Sequence, residues 1–125
     1  MRATDGSAGF DLCVNEDVIL APGEHELVST GTRVAIPDGH VGFVFVRSSL
    51  GAKYGIALRN GTGVIDSDYR GEIALSLVNN GTDAICLDRG ERVAQLVVVP
   101  FHGDAERVGT LDVTERGEGG FGSTG

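Results

Sequence analysis

The chain has 125 residues, which fits one domain, and 41% of them are hydrophobic, which is enough for a buried core. Aromatic residues make up only 6% and Trp is absent, so Val, Ile and Leu must fill that core. The formal net charge of -8 argues against general nucleic-acid or acidic-membrane binding, which needs a basic surface. No apolar stretch approaches membrane-spanning length, and the polar N-terminal residues lack a signal-peptide core.

Cysteine and histidine usage predicts neither a disulfide nor a metal centre. Cys13 and Cys86 lie far apart in apolar settings and form no Cys-x-x-Cys motif. We interpret them as two buried thiols in a protein of the reducing cytoplasm. The three histidines are scattered, without the spacing to a second ligand that a zinc site requires.

Short apolar runs alternate with turn signals along the chain. Strands are predicted at residues 8–12, 18–20, 27–36, 41–46, 56–58, 64–65, 73–78, 85–87, 93–100 and 107–113. Gly31 is expected to mark a bulge or bend in the third of them. About ten short strands with almost no helix predict an antiparallel β-barrel or sandwich.

Residues 63–72 place two carboxylates and an aromatic ring between glycines, directly after a turn signal at residues 60–62. The simplest interpretation is a hairpin that returns through residues 64–65. Taken alone, Asp66 and Asp68 can be turn carboxylates, because Asp closes Asx-turns on its own backbone.

Arg47, Ser48 and Ser49 follow a buried strand at once and bring a guanidinium, two hydroxyls and backbone N–H groups to one place. That combination suits a phosphate, which Arg binds through two parallel hydrogen bonds. The two serines are alternatively expected to cap a short helical turn that runs through Lys53. Capping and phosphate binding are compatible, because helix N-termini favour anions.

Three further features are unusual for their positions. Asp11 interrupts a β-like run and is either an edge carboxylate or one aimed at a metal or its waters. Gln95 is the one polar residue in the most apolar strand, so it either ties down backbone or faces a ligand. Residues 114–125 are Gly-rich and unable to order themselves, yet they carry Arg116 and a lone Phe121. We therefore divide the chain into a β domain at 1–113 and a flexible tail at 114–125.

Five stretches, in order, resemble the motifs of the trimeric deoxyuridine triphosphatase (dUTPase) family: residues 8–12, 47–51, 63–72, 90–96 and 116–125. Each motif alone is weak, but five in order over nearly the whole chain are highly specific. Ser49 departs from the Gly that is common in the family, and a side chain there is expected to narrow the approach of the phosphates. The family usually has a further N-terminal strand, so part of the usual barrel edge is expected to be missing or replaced.

The resemblance implies a jelly-roll-like antiparallel β-barrel of the β-clip type that assembles as a homotrimer. Each active site would combine motifs from all three chains, with the tail of one closing over it. The implied activity is Mg2+-dependent conversion of dUTP to dUMP and pyrophosphate, which keeps uracil out of DNA and supplies dUMP for thymidylate synthesis.

The resemblance also assigns roles by position. Asp66 would activate the water that attacks the α-phosphorus, and Tyr69 would pack under the deoxyribose. The uracil would be read by Asn60, Gly63, Val64, Ile65 and Asp66, with Ala74 in contact through its backbone. Phosphates would be held by Arg47, Ser48, Ser49 and Gln95, and Asp11 would orient Mg2+ through waters while the triphosphate holds the metal. From the tail, Phe121 would stack on uracil, and Arg116, Ser123 and Thr124 would bind the terminal phosphate. Gly122 would also contact the substrate.

Two rival functions are open at this point. A dCTP deaminase shares the implied fold, although residues 66–71 and the Gly-rich tail favour the dUTPase. A non-catalytic protein-binding module on the same scaffold predicts decay of the catalytic residues, whereas the residues named above are all in place.

Overall fold

The computed structural model describes residues 1–122, and nearly all of its regular structure is β-strand. The elements in chain order are β1 (Phe10–Cys13), β2 (Val18–Leu20), β3 (His25–Ser29), β4 (His40–Val46), α1 (Ser48–Tyr54), β5 (Ile56–Leu58), β6 (Gly63–Ile65), β7 (Ala74–Asn79), β8 (Ile85–Leu87) and β9 (Arg92–Pro100). All strand pairs are antiparallel, as predicted from the short alternating runs.

The strands form three sheets. Their orders are β1-β9-β4-β6, β2-β8 and β3-β7-β5, and hydrogen bonds do not join the three into one closed barrel. Strands that follow one another in sequence therefore lie in different sheets, which is the arrangement of a jelly-roll-like sandwich.

The longest pairing in the molecule joins β4 to β9, from His40 opposite Pro100 to Val46 opposite Ala94. Because side chains alternate across a strand, one face of this pair is buried, with Val44 and Leu96 in the core. The other face carries Phe45 and the other odd-numbered residues of β4, which are partly or fully exposed.

Aliphatic side chains fill the core, as the composition predicts. The buried hydrophobic residues are Leu12, Val14, Val18, Leu20, Val28, Ile36, Val44, Leu50, Ile56, Leu58, Ile73, Leu75, Leu77, Leu87, Val93, Ala94 and Leu96. The buried Asn79 is fully satisfied, because its amide donates to the carbonyls of Leu20 and Asp83 at 2.9 Å and its oxygen accepts the N–H of Gly81.

The predicted hairpin around residues 60–62 is wrong. β5 pairs with β7, whereas β6 pairs with β4 in another sheet. The turn signal itself is correct, since Gly61 has a φ of 75° and donates its N–H to the carbonyl of Leu58. The turn therefore sends the chain from one sheet to another instead of folding it back on itself.

Other sequence predictions need correction as well. The strand predicted at residues 27–36 ends at Ser29, because Gly31 adopts a φ of 67° and takes the backbone out of the extended conformation. Residues 107–113 are exposed and form no strand. The predicted burial of the thiols is also wrong, since Cys13 is half-buried and Cys86 exposed, both free.

The helix predicted after β4 is present, but its serines do not cap it. Arg47 occupies the N-cap position and makes no side-chain capping bond, so Ser48 and Ser49 lie inside the first turn. The helix ends at Gly55, whose φ of 73° is typical of a left-handed C-cap. Within residues 1–122, no helix combines the length and apolar character needed to cross a membrane.

Replacing Leu77 with Ala should lower the free energy of unfolding by about 2–5 kcal/mol, because a fully buried leucine leaves a cavity. Leu27→Ala in the adjacent strand is the matched control, since 69% of that side chain is exposed. Urea unfolding of both variants measures the difference. Equal losses in the two would contradict the assignment of Leu77 to the core.

Candidate active site

Two adjoining cavities surround β6 and the start of β7. The larger, of about 240 Å³, is lined by Val64, Ile65, Asp66, Tyr69, Glu72, Ile73 and Ala74. The smaller, of about 130 Å³, is lined by Val44, Leu58, Asn60, Gly63, Val64, Ile65, Ile73, Ala74 and Leu75. A single chain therefore brings together every residue that was predicted to contact the nucleoside, except those of the tail.

The loop between β6 and β7 carries the two residues with the sharpest predicted roles. Asp66 is exposed at the mouth of the larger cavity, and its carbonyl accepts the N–H of Tyr69 at 3.2 Å. The Tyr69 hydroxyl donates to the carbonyl of Glu72 at 2.8 Å, which holds the ring against its own loop. The guanidinium of Arg70 donates to the carbonyl of Ser67 at 2.6 Å. The loop is thus braced internally, with its carboxylate free to face a ligand.

Glu72 is a site residue that the sequence analysis did not assign. One carboxylate oxygen accepts the hydroxyl of Ser29 and, at 2.7 Å, the backbone N–H of Gly31. The Ser29 bond first, then the Gly31 bond and the charge of Arg33, lower the pKa of Glu72 below its usual 4.5. A glutamate three residues after a tyrosine gives no local signal of this contact, because its partners lie more than forty positions earlier in the chain.

A second group of polar residues gathers where β4 ends and β9 begins. The backbone N–H of Arg47 donates to the carbonyl of Val93 at 2.9 Å, and its guanidinium donates to the carbonyl of Arg92 at 3.2 Å. Ser48 and Ser49 are exposed in the first turn of α1. Their N–H groups have no carbonyl one turn earlier to bond, which leaves donors for an anion.

Asp11, Gln95 and Phe45 are neighbours in register across β1, β9 and β4. Gln95 lies directly over Gly9, where an added Cβ would meet the Gln95 Cβ at 3.0 Å, so the small residue of the first motif makes room for this amide. Arg92 forms an ion pair with Asp11 at 3.4 Å. The sequence predicts no role for Arg92, because only strand pairing brings it next to Asp11.

Asp66 and this second group lie toward opposite ends of β4. Ile65 pairs with Gly42, so Asp66 leaves the sheet at one end of that strand, while Arg47 follows the other end. Arg47 lies five positions after Gly42, and five residues of extended strand span roughly 16 Å. Asp11 lies in β1, at the opposite edge of the sheet from β6. Three strand spacings separate β1 from β6, which is about 14 Å.

The described part of the tail contacts little of the rest of the chain. Arg116 donates from Nε to the carbonyl of Gly119 at 2.7 Å, within the tail itself. The Phe121 side chain is fully exposed and its φ is 50°, an unusual value for a residue other than Gly. Gly122 is exposed beside it, and the predicted contacts of Ser123 and Thr124 fall outside the described residues.

Among residues 1–122, no three His, Cys, Asp or Glu side chains are arranged to hold a metal ion by themselves. Asp11 is a single carboxylate whose side chain is 21% exposed. Mg2+ commonly keeps several waters and binds through one or two carboxylates plus substrate phosphates. A single carboxylate therefore fits a metal that is held mainly by a triphosphate and meets Asp11 through its waters.

The depressed pKa of Glu72 makes a pH-dependent prediction. A carboxyl whose folded pKa is lowered contributes stability that is present above its unfolded pKa and is lost as the pH falls through the folded one. The difference in melting temperature between wild type and Glu72→Gln should therefore be constant near neutral pH and shrink below about pH 4.5. Thermal unfolding from pH 7 to pH 3 measures it, and a difference that grows toward acid would contradict the bonds assigned to Glu72.

Comparison with known proteins identifies the family of this chain. The dUTPase family model matches residues 1–125. The deoxyuridine 5'-triphosphate nucleotidohydrolase of Cutibacterium acnes is 54% identical over 125 residues, covering 98% of this chain and 82% of that protein. The enzyme of the same name from an Anaeromyxobacter species is 50% identical over 123 residues, covering 98% and 84%.

Solved structures confirm the predicted jelly-roll-like fold. The dUTPase of Staphylococcus bacteriophage 80alpha with dUpNHpp superposes with a TM-score of 0.90 at 30% identity, over 100% of this chain and 90% of that one. A mutant dUTPase of S. aureus phage phi11, in which a structural Mg(II) ion is coordinated, has a TM-score of 0.80 at 26% identity, over 88% of each chain. From the five motifs, the shared fold and the match along its full length, this chain belongs to the dUTPase family.

Proposed function

We propose that the chain hydrolyses dUTP to dUMP and pyrophosphate with Asp66 as the general base. The observation that carries the proposal is the cavity in which Asp66, Tyr69 and the backbone of β6 meet. The reaction is inferred from membership of the dUTPase family. The cavity places the Asp66 carboxylate beside apolar side chains and a tyrosine ring, which suit a nucleoside. The residue roles below are proposed on this chain's own geometry.

The backbone of β6 is suited to reading a pyrimidine. β6 is the edge strand of its sheet, so the N–H and C=O groups that point away from β4 are available to a ligand. Gly63, Val64 and Ile65 line the smaller cavity, and so does Asn60, whose side chain carries an amide. Cytosine would place a donor where uracil places an acceptor, and an unpaired buried polar group costs roughly 1–3 kcal/mol.

Tyr69 distinguishes deoxyribose from ribose by volume. Its hydroxyl is already engaged by the carbonyl of Glu72, so the ring has a fixed position at the cavity wall. Gly71 permits that position, because a Cβ there would lie 2.6 Å from Tyr69 Cζ. A sugar packed on the ring leaves no space for a 2′-hydroxyl.

Distance within one chain supports active sites that are shared between copies in a homotrimer. A nucleotide seated on β6 has its phosphates near Asp66, roughly 16 Å from Arg47 of the same chain along β4. Arg47, Ser48, Ser49 and Gln95 of a neighbouring copy can instead meet those phosphates. Phe121 and Arg116, which have few contacts in their own chain, are then available to cover the base and grip the terminal phosphate.

Phosphoryl transfer depends on charge neutralisation and an oriented water more than on covalent help from the protein. Asp66 accepts a proton from the water, whose oxygen bonds to the α-phosphorus as the bond to the bridging oxygen breaks and pyrophosphate leaves. Arg47 and the donors of Ser48 and Ser49 stabilise the charge that develops on the phosphates. Mg2+, when bound to the triphosphate with Asp11 behind its waters, supplies further positive charge.

Deamination of dCTP is the competing reaction on this fold. Pyrophosphate and ammonia release should be measured side by side with dUTP, dCTP, dTTP and UTP, with and without Mg2+. We expect pyrophosphate from dUTP in the presence of Mg2+ and little product from the other nucleotides. Ammonia from dCTP at a rate comparable to dUTP cleavage would replace the hydrolase assignment with a deaminase.

Asp66→Asn should lower kcat for dUTP by two or more orders of magnitude, which is the range of a lost general base, about 10²–10⁴-fold. The amide preserves the volume and cannot accept the proton, so substrate affinity should change little. Asp68→Asn in the same loop is the control, because that carboxylate lines neither nucleoside cavity. A near-normal kcat in Asp66→Asn would show that another group activates the water.

A further inference from the structure

We propose that Glu72 is a positioning residue for dUTP hydrolysis, whose carboxylate fixes the loop between β6 and β7 so that Asp66 and Tyr69 keep their places. The inference rests on the proposed function of that loop. Glu72 would not touch the reacting atoms. It would act through Asp66, the proposed general base, and through Tyr69, which is proposed to select deoxyribose over ribose.

The first observation is that two donors converge on one oxygen. Oε1 of Glu72 accepts both the Ser29 hydroxyl and the Gly31 N–H, from the segment in which β3 ends. Gly31 lies beyond the end of the β3 ladder at Ser29, so its N–H lies outside that ladder and donates to the carboxylate. Charge-assisted bonds of this kind are about twice as strong as neutral ones.

The second observation is that the backbone of Ile73, next to Glu72, is also hydrogen-bonded to the segment that follows β3. The β3–β7 ladder ends with Ser29 opposite Ala74. Beyond it, Ile73 donates its N–H to the carbonyl of Thr32 at 2.9 Å, and the Thr30 hydroxyl donates to the carbonyl of Ile73 at 2.6 Å. Ile73 is therefore held on both sides, and Glu72 is the next residue out, where the ordered sheet gives way to the loop.

The third observation is that Glu72 also makes a contact on its loop side. Its carbonyl accepts the Tyr69 hydroxyl at 2.8 Å, and the N–H of Tyr69 donates to the carbonyl of Asp66. Glu72 thus bonds the end of β3 through its side chain and the Tyr69 hydroxyl through its main chain. The line of hydrogen bonds runs from Ser29 through Glu72 and Tyr69 to Asp66.

These contacts predict a change in selectivity as well as in rate. If the carboxylate is removed, both Tyr69 and Asp66 gain freedom, and an offset of about 1 Å in a reacting group can cost on the order of a hundredfold. Glu72→Ala should therefore lower kcat for dUTP by at least about tenfold. It should also raise the ratio of kcat/KM for UTP to that for dUTP. A variant that only contains less folded enzyme loses both activities equally, so its ratio stays unchanged.

The conservative variant separates geometry from charge. Glu72→Gln keeps an oxygen that can accept both the Ser29 and the Gly31 donors, so its selectivity ratio should stay near that of wild type. Ser29→Ala removes one donor and should fall between Glu72→Gln and Glu72→Ala. Tyr69→Ala, which removes the ring itself, sets the largest ratio to expect.

Glu24→Ala is the matched control for losing a turn-holding carboxylate. Glu24 accepts the N–H of Ala21 at 3.0 Å in the turn between β2 and β3, away from both nucleoside cavities. Its selectivity ratio should equal that of wild type. The four nucleotide assays should be run on the full-length protein, with circular dichroism to confirm folding of each variant.

An unchanged UTP-to-dUTP ratio in a folded Glu72→Ala protein would overturn the positioning role. So would a Glu72→Gln variant as permissive as Glu72→Ala, because the retained acceptor would then have had no effect. Neither result bears on the reaction itself, since wild type and Glu24→Ala would still cleave dUTP. Wild-type protein that fails to cleave dUTP would overturn the proposed function instead.

Discussion

The double pairing of β4 is the constraint on which the rest of the structure depends. One edge of this strand pairs with β9 over its whole length, and the other edge pairs with β6 over three residues. The antiparallel register puts Ile65 opposite Gly42 and Val46 opposite Ala94. Because a strand is extended, this register sets the separation along β4 between the backbone of Asp66 and that of Arg47.

In the homotrimer proposed above, that distance would divide the chemistry between copies of the chain. Asp66 leaves the sheet next to the pair Ile65 and Gly42, whereas Arg47, proposed to bind the phosphates, follows the last residue of β4. In the proposed homotrimer, assembly would complete the active site as well as stabilise the fold. The division also reconciles an acidic protein of net charge -8 with an anionic substrate, since Arg47 and Arg92 concentrate positive charge where β4 meets β9.

Three places in the chain show where local sequence signals stop being informative. The Asn60-Gly61 turn is real, but a turn fixes only the direction of a few residues, and it gives the same signal whether the chain returns to the same sheet or crosses to another. In the same way, Ser29 and Glu72 carry no joint signal, because their contact spans more than forty positions. Ser48 and Ser49 are residue types that commonly cap helices, yet the N-cap position falls one residue earlier, at Arg47, and both serines lie inside the first turn.

The sequence by itself determined the chemistry of this protein. Five motifs in order identified the family, and the alternation of short apolar runs identified an antiparallel β fold with an aliphatic core, because residue type and local spacing are properties of the chain alone. Tertiary structure decided which strands pair, and therefore that Asp66 and Tyr69 share a cavity, that Arg92 meets Asp11, and that Glu72 reaches Ser29. The contacts of Arg92 with Asp11 and of Glu72 with Ser29 join residues distant in sequence, and their geometry is fixed only when the strands pair and the sheets pack around one core.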